Sequence, residues 1–232
     1  MSIELKKRII TSVLLFSLVI FCIFINRSIY ILSIVIVSGI VFSEIANLIR
    51  LVEKSTSIKN WVPFRLISFF YIFLLFLPIA VFFYRLGAVF IIYILLICIF
   101  SDIGGYVIGK TIGGKKLTKI SPNKTISGSI GSFCFSIIPF LLFFNFNQSE
   151  YPYPFINFLL CLEISLVCQL GDLFISHIKR KAKVKNTGNL LPGHGGLLDR
   201  IDGIIFVIPF VWIHINGLGV YFEMLRGLLS KL

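Results

Sequence analysis

Apolar runs of near-bilayer length, broken by a few short polar stretches, decide what this chain can fold into. The runs cover about Ile9–Ile25, Ile29–Ile49, Leu66–Tyr84, Ala88–Phe100, Ser129–Phe146, Phe155–Ile175 and Gly203–Phe222. A hydrocarbon core needs about 20 apolar residues per helix, and helices satisfy their own backbone groups there. With 57% hydrophobic and 14% charged residues, the chain is too apolar for a soluble globule. The expected fold is therefore all-α, a polytopic transmembrane bundle of about seven spans. Residues 1–100 form N-terminal membrane helices, and residues 101–232 form a second membrane region that carries the two long polar loops, 101–128 and 171–203. The fourth run is short for a bilayer and must borrow neighbours or stop early. Pro78 predicts a kink in the third. Glu44, near the end of the second, is read as snorkelling to the interface.

The net charge of +12 gathers in loops. Assigning loops alternately to the two sides puts 18 basic residues on one side and 4 on the other. The richer side carries the N-terminus and the loops 101–128 and 176–202, so the positive-inside rule places these in the cytoplasm. The N-terminal basic cluster and first run lack a small-residue cleavage site and read as a retained helix. No nucleic-acid-binding motif accompanies the charge. The five cysteines all lie in apolar runs, without metal-ligand spacing, and read as small hydrophobes.

Chemistry concentrates in residues 171–203, GDLFISHIKRKAKVKNTGNLLPGHGGLLDRIDG. Cations suit a polyphosphate, and carboxylates among them supply the hard oxygens that Mg²⁺ prefers. If the sixth helix continues past the bilayer, Asp172, Ser176, Lys179 and Lys183 share a face, as do Asp172, Ser176 and Arg180. Asp199 and Asp202 open the seventh helix, where a carboxylate also meets the helix dipole favourably. His194, between two glycines, is aimed at a ligand. His177 and His214 read as structural, and Glu163 carries no assigned role.

This stretch resembles the signature of phosphatidate cytidylyltransferases, the CDP-diacylglycerol synthases. Ser176, Lys179-Arg180, Lys185-Asn186, Gly188, Pro192, His194-Gly195-Gly196 and Asp199-Arg200-Ile201-Asp202 all fall at the family's spacings. Asn186 stands where the family has aspartate. A second family-like segment is Ser101-Asp102-Ile103-Gly104-Gly105-Tyr106 with Gly109, followed by Ile120-Ser121-Pro122-Asn123-Lys124-Thr125. There Gly105 replaces alanine, and Ser127 replaces an acidic residue. The same loop matches the Walker A pattern at Gly104, Gly109, Lys110 and Thr111. That motif needs a strand before it and a soluble α/β sheet around it, so the match is read as chance. Glycines at 105, 109 and 113 would also let two helices pack closely.

The resemblance implies an enzyme, a CTP-dependent nucleotidyltransferase joining CTP and phosphatidate to give CDP-diacylglycerol and pyrophosphate. It implies Asp172 and Asp199 as ligands of Mg²⁺, in a one- or two-metal site, with Asp202 close by and Lys185 among the catalytic residues. Ser176, Lys179, Arg180, His194, Arg200, Lys124 and Asp102 would bind substrate. A homodimer in a bacterial inner membrane follows by the same resemblance. The alternatives are a transporter for an anionic substrate and a membrane lipid kinase.

Overall fold

The structure is a computed structural model that describes residues 3–55, 62–118, 121–146, 154–191 and 195–229. The described chain is helical, with only two isolated β-bridges and no named strand among the described residues. In order come α1 (Ile3–Ile25), α2 (Arg27–Ser55), α3 (Val62–Phe70), a π-helical turn (Tyr71–Phe76) and α4 (Leu77–Phe83). These lead to α5 (Ala88–Thr111), α6 (Ile126–Ser136), α7 (Ile138–Phe146), α8 (Pro154–Lys181), α9 (Leu198–Ile201) and α10 (Ile204–Leu229). Among the described residues, five helical stretches are long and apolar enough to cross a membrane: Arg27–Ser55, Val62–Leu86, Ala88–Thr111, Ile126–Phe143 and Phe155–Lys181. Val13–Ile25 and Ile204–Gly217 are shorter apolar helices. Large apolar side chains such as Leu14, Ile67, Leu74 and Phe155 face outward, as lipid contact requires. This is an integral membrane protein.

Two expectations take definite form here. The strain expected at Pro78 is taken up before the proline. The Leu77 N–H reaches back five residues to the Ile72 carbonyl, so the backbone widens into a π turn and α4 restarts with proline in its first turn. The short fourth run becomes a full-length helix because α5 continues through Thr111, taking in the first eleven residues of the expected 101–128 loop. The reason is packing against α6. A Cβ on Gly105 would stand 2.5 Å from Ser132 Oγ, and one on Gly131 would stand 2.7 Å from the Gly104 carbonyl. Side chains at these positions would force the helices apart. The Walker-like residues therefore lie on a continuous helix. Gly113 instead ends α5 with φ 64, where only glycine is comfortable.

Two apolar clusters fill the interior. One joins Tyr30, Phe83, Tyr93, Ile97, Cys161, Ile164 and Val207. The other joins Val41, Leu48 and Val52 of α2 to Ile72, Phe76, Ile175, Leu198 and Ile205. Cys98, Cys161 and Cys168 are buried free thiols.

Candidate active site

Local geometry first sets where the charged residues stand. α8 holds Asp172, Ser176, Lys179 and Arg180 in register, and Ser176 Oγ donates to Asp172 Oδ1 at 3.2 Å. The helix stops sooner than the expected stripe requires. Lys183 adopts φ 56, its N–H bonds the Arg180 carbonyl, and the Val184 N–H bonds the Lys179 carbonyl. That left-handed cap turns Lys183 off the stripe and sends the chain back over the bundle. The approach of α8 to the α9–α10 turn is again made by glycine. A Cβ on Gly171 would stand 3.0 Å from the Asp202 carbonyl, and one on Gly203 would stand 2.9 Å from the Cys168 carbonyl. This close passage sets Asp172 beside Asp202.

Lys124 of the first polar loop forms an ion pair with Asp172 Oδ2. One contact thus joins segments 48 residues apart in sequence. The lysine is aimed by its loop: Leu117 N–H bonds the Lys124 carbonyl at 2.8 Å, and Lys124 N–H bonds the Ser121 carbonyl at 3.0 Å. Thr125 then caps α6, accepting from the Gly128 N–H at 3.0 Å. Ser127, at the family's acidic position, donates to the Gly113 carbonyl and so ties the loop to the end of α5. Asp102, on α5, lies in the electrostatic field of Asp172, Lys124 and Arg200.

The Asp202 carboxyl hydrogen-bonds to Asp172. Burial, and then the Asp172 charge, push it up to about 8, so at neutral pH the pair holds a proton between its two carboxyls. Lys179 Nζ lies 2.8 Å from Asp199 Oδ1 and 4.0 Å from Asp202 Oδ2, bridging α8 to both ends of α9.

Asp199 has a different environment. Its Oδ2 accepts from the Thr187 N–H at 2.8 Å, the Gly196 N–H at 3.0 Å and the Thr187 hydroxyl at 3.1 Å. With Lys179 on its other oxygen, the carboxylate organises the loop around it. Leu191 and Gly195 exchange two backbone hydrogen bonds, closing the base of the turn. Gly195 has φ 88, and a Cβ there would also stand 2.9 Å from the side chain of Asn186. His194 lies outside the described residues. Lys185, Arg180 and Arg200 are exposed at the rim.

The residue that sequence reasoning misjudged is Glu44. It does not snorkel. Its side chain is buried, 8% exposed overall, and turned into the loop. Oε1 accepts from the Leu197 N–H at 2.9 Å, while Oε2 accepts from the Leu198 N–H at 2.9 Å and from the Thr187 hydroxyl at 2.7 Å. The cost of burying a carboxylate is offset by these three donors. The usable signal was a lone carboxylate inside an apolar run, a costly placement that commonly marks function. Glu163 and His214 pair across α8 and α10, Oε2 to Nδ1 at 2.8 Å.

A divalent cation can be tested against this donor set. Among the described residues no three His, Cys, Asp or Glu side chains form a ready cage. Mg²⁺ does not need one, since it commonly takes one or two carboxylates together with substrate phosphates. Asp172 and Asp202 are adjacent hard donors holding one proton, which a cation would replace. They fit; Asp199, whose Oδ2 alone takes three donors from the loop, is more tightly held than Asp172.

The sequence matches the family described as "Cytidylyltransferase family" over residues 51–218. Over 127 residues it is 41% identical to the phosphatidate cytidylyltransferase of Bacillus subtilis (strain 168), covering 54% of this chain and 47% of that protein. It is 46% identical over 129 residues to the protein of that name from Staphylococcus aureus (strain COL), covering 54% and 48%. The protein of that name from Rickettsia bellii is 42% identical over 123 residues, covering 50% and 53%. The chain spans about half the length of the curated relatives it matches.

Proposed function

The chain belongs to the cytidylyltransferase family, and on that premise we propose that it transfers CMP from CTP to phosphatidate, giving CDP-diacylglycerol and pyrophosphate. The observation that carries the reading is the Lys124–Asp172 ion pair, which makes one site of two polar loops. The relatives' shared name supplies the substrate class. A phosphate oxygen of phosphatidate attacks the α-phosphorus of CTP. A new P–O bond forms as the bond to the bridging oxygen breaks, and pyrophosphate leaves with those electrons. The nucleophile is already anionic, so no general base is required. The difficulty is bringing anions together, which calls for preorganised positive charge and alignment.

Lys124, Lys179 and Arg200 bind and orient phosphates, with Arg180 and Lys185 at the rim. Lys124 stands where it can exchange its Asp172 contact for a phosphate oxygen. Ser176, hydrogen-bonded to Asp172, holds that carboxylate in place. Asp172 and Asp202 would hold Mg²⁺, which supplies charge neutralisation on the phosphates when bound. Asp199 fixes the loop and Lys179. Loops facing the cytoplasm of a bacterial inner membrane, and a homodimer, belong to the same proposal. Purified protein supplied with phosphatidate and radiolabelled CTP or ATP tests it. CTP-dependent formation of a labelled liponucleotide is expected. Label transfer from ATP alone would make the chain a lipid kinase, and no transfer from either would sink the enzyme reading.

A further inference from the structure

We infer that Glu44, which precedes the family-matched residues 51–218, is a positioning residue of the catalytic loop, coupled to it through Thr187. The inference rests on the proposed cytidylyl transfer and adds α2 to the machinery.

The geometry is that of two carboxylates closing on one hydroxyl. Thr187 Oγ1 lies 2.7 Å from Glu44 Oε2 and 3.1 Å from Asp199 Oδ2. A hydroxyl donates one proton, so the two acids share it. Each acid then takes backbone N–H groups from a different part of the loop. Asp199 takes Thr187 and Gly196, and Glu44 takes Leu197 and Leu198. Four amides and one hydroxyl, spread over twelve residues, are thereby fixed by two side chains. Asp199 also carries Lys179, the cation between Asp199 and Asp202. Displacing Glu44 would release Thr187 and, through Asp199, let Lys179 drift.

The loop glycines stand close against Glu44. Gly196 has no room for a Cβ against Glu44 Oε2 and Thr187 Oγ1, and a Cβ on Gly188 would stand 3.1 Å from Glu44 Oε1. Leu48 and Val52, one and two turns along α2, are packed with Leu198 in the same apolar cluster, so the acid is presented from a rigid element. A carboxylate is needed rather than an amide. Glutamine offers one acceptor oxygen, and its NH₂ would face the Leu198 N–H or the Leu197 N–H, donor against donor.

The test uses the purified full chain and its Glu44→Gln, Thr187→Val and Thr187→Ser variants, with the double variant of the first two. Two readouts are taken: steady-state CDP-diacylglycerol synthesis, and amide hydrogen exchange of residues 186–199. Glu44→Gln is expected to lower kcat about tenfold or more while KM for phosphatidate stays within about threefold, the pattern of a lost transition-state alignment. Its 186–199 amides should exchange at least about tenfold faster, with α5 and α6 unchanged, as local loosening requires. Thr187→Ser should keep kcat within about threefold of the parent where Thr187→Val does not, and the double variant should fall no more than about twofold below the weaker single, since both remove one interaction. A Glu44→Gln kcat within about twofold of the parent would overturn the inference, by the same coupling logic. So would unchanged exchange in the loop, or equal losses in Thr187→Ser and Thr187→Val. If the parent chain makes no liponucleotide, the functional reading fails instead. Exchange then decides the anchor alone: faster in Glu44→Gln supports it, and unchanged overturns it.

Discussion

At the scale of single residues, the site separates carboxylates by what surrounds them. Asp199 and Glu44 are saturated with N–H and O–H donors, so each is an anchor. Asp172 and Asp202 are joined through a proton and faced by lysines, so each is open to exchange. Asp172→Asn should therefore lower turnover by roughly a hundredfold or more, since charge stabilisation at a transferring phosphate is worth several kcal/mol. Helix content by circular dichroism should stay at the parent level; near-parental turnover would show that Asp172 is no ligand. Asp202 makes a pH prediction. Its folded value, about 8, is above the ordinary carboxylate range, so between about pH 4 and pH 8 the folded chain holds a proton that the unfolded chain has lost. Stability from this group is therefore present at low pH and is lost as pH rises through about 8. Thermal midpoints of metal-free protein in detergent should fall over that window, and Asp202→Asn should flatten the fall. Asn186, at the family's aspartate position, is exposed and packed beside Gly195. Asn186→Asp should change turnover less than about tenfold, a barrier change of roughly 1.4 kcal/mol. A gain of roughly a hundredfold would show that the aspartate was needed.

At the scale of elements, glycine decides which helices touch. α5 and α6 meet along Gly104, Gly105, Gly128 and Gly131, and α8 meets the α9–α10 turn at Gly171 and Gly203. The first contact carries Lys124 to the site and the second sets Asp172 against Asp202. Gly131→Leu should destabilise the bundle by about 1–3 kcal/mol, the usual cost of overpacking. A lowered thermal midpoint with a parallel loss of activity is expected; an unchanged midpoint would mean that the helices can separate without cost. A polar chain runs through the same contact. Ser101 Oγ lies 2.8 Å from Ser165 Oγ, and Ser129 Oγ donates to Gln169 Oε1 at 2.6 Å, tying α5, α6 and α8 together below Asp172.

At the scale of the whole molecule, charge asymmetry predicts that both polar loops face the cytoplasm. Lys116→Cys and Asn189→Cys, each in a cysteine-free background, should resist an impermeant thiol reagent outside intact cells and react after permeabilisation. Labelling of either from outside would reverse the topology. The bundle itself gives this arrangement a purpose. In the proposed reaction its apolar outer surface would meet the lipid substrate, while cations and carboxylates collect where α5, α8 and α10 approach the polar loops. The water-soluble nucleotide and the lipid phosphate of that proposal would then meet at one end.

Hydrophobic run length determined the helical membrane class, because an unpaired backbone is too costly in hydrocarbon for any irregular alternative. The spacing of charged and glycine residues marked out Asp172, Ser176, Lys179, Asp199 and Asp202, because residues three and four apart on a helix share a face whatever surrounds them. The tertiary structure decided the rest. Whether Asp172 pairs with Lys179 or with Lys124, 48 residues away, depends on how α5 and α6 pack. Where α5 ends depends on glycine contacts with a helix that follows a loop. Glu44 lay hidden because two of its three donors are backbone amides, of residues 197 and 198, and amides carry no residue identity that a pattern can read. A side chain that serves a loop more than 140 residues away is legible only when the chain has brought the two together.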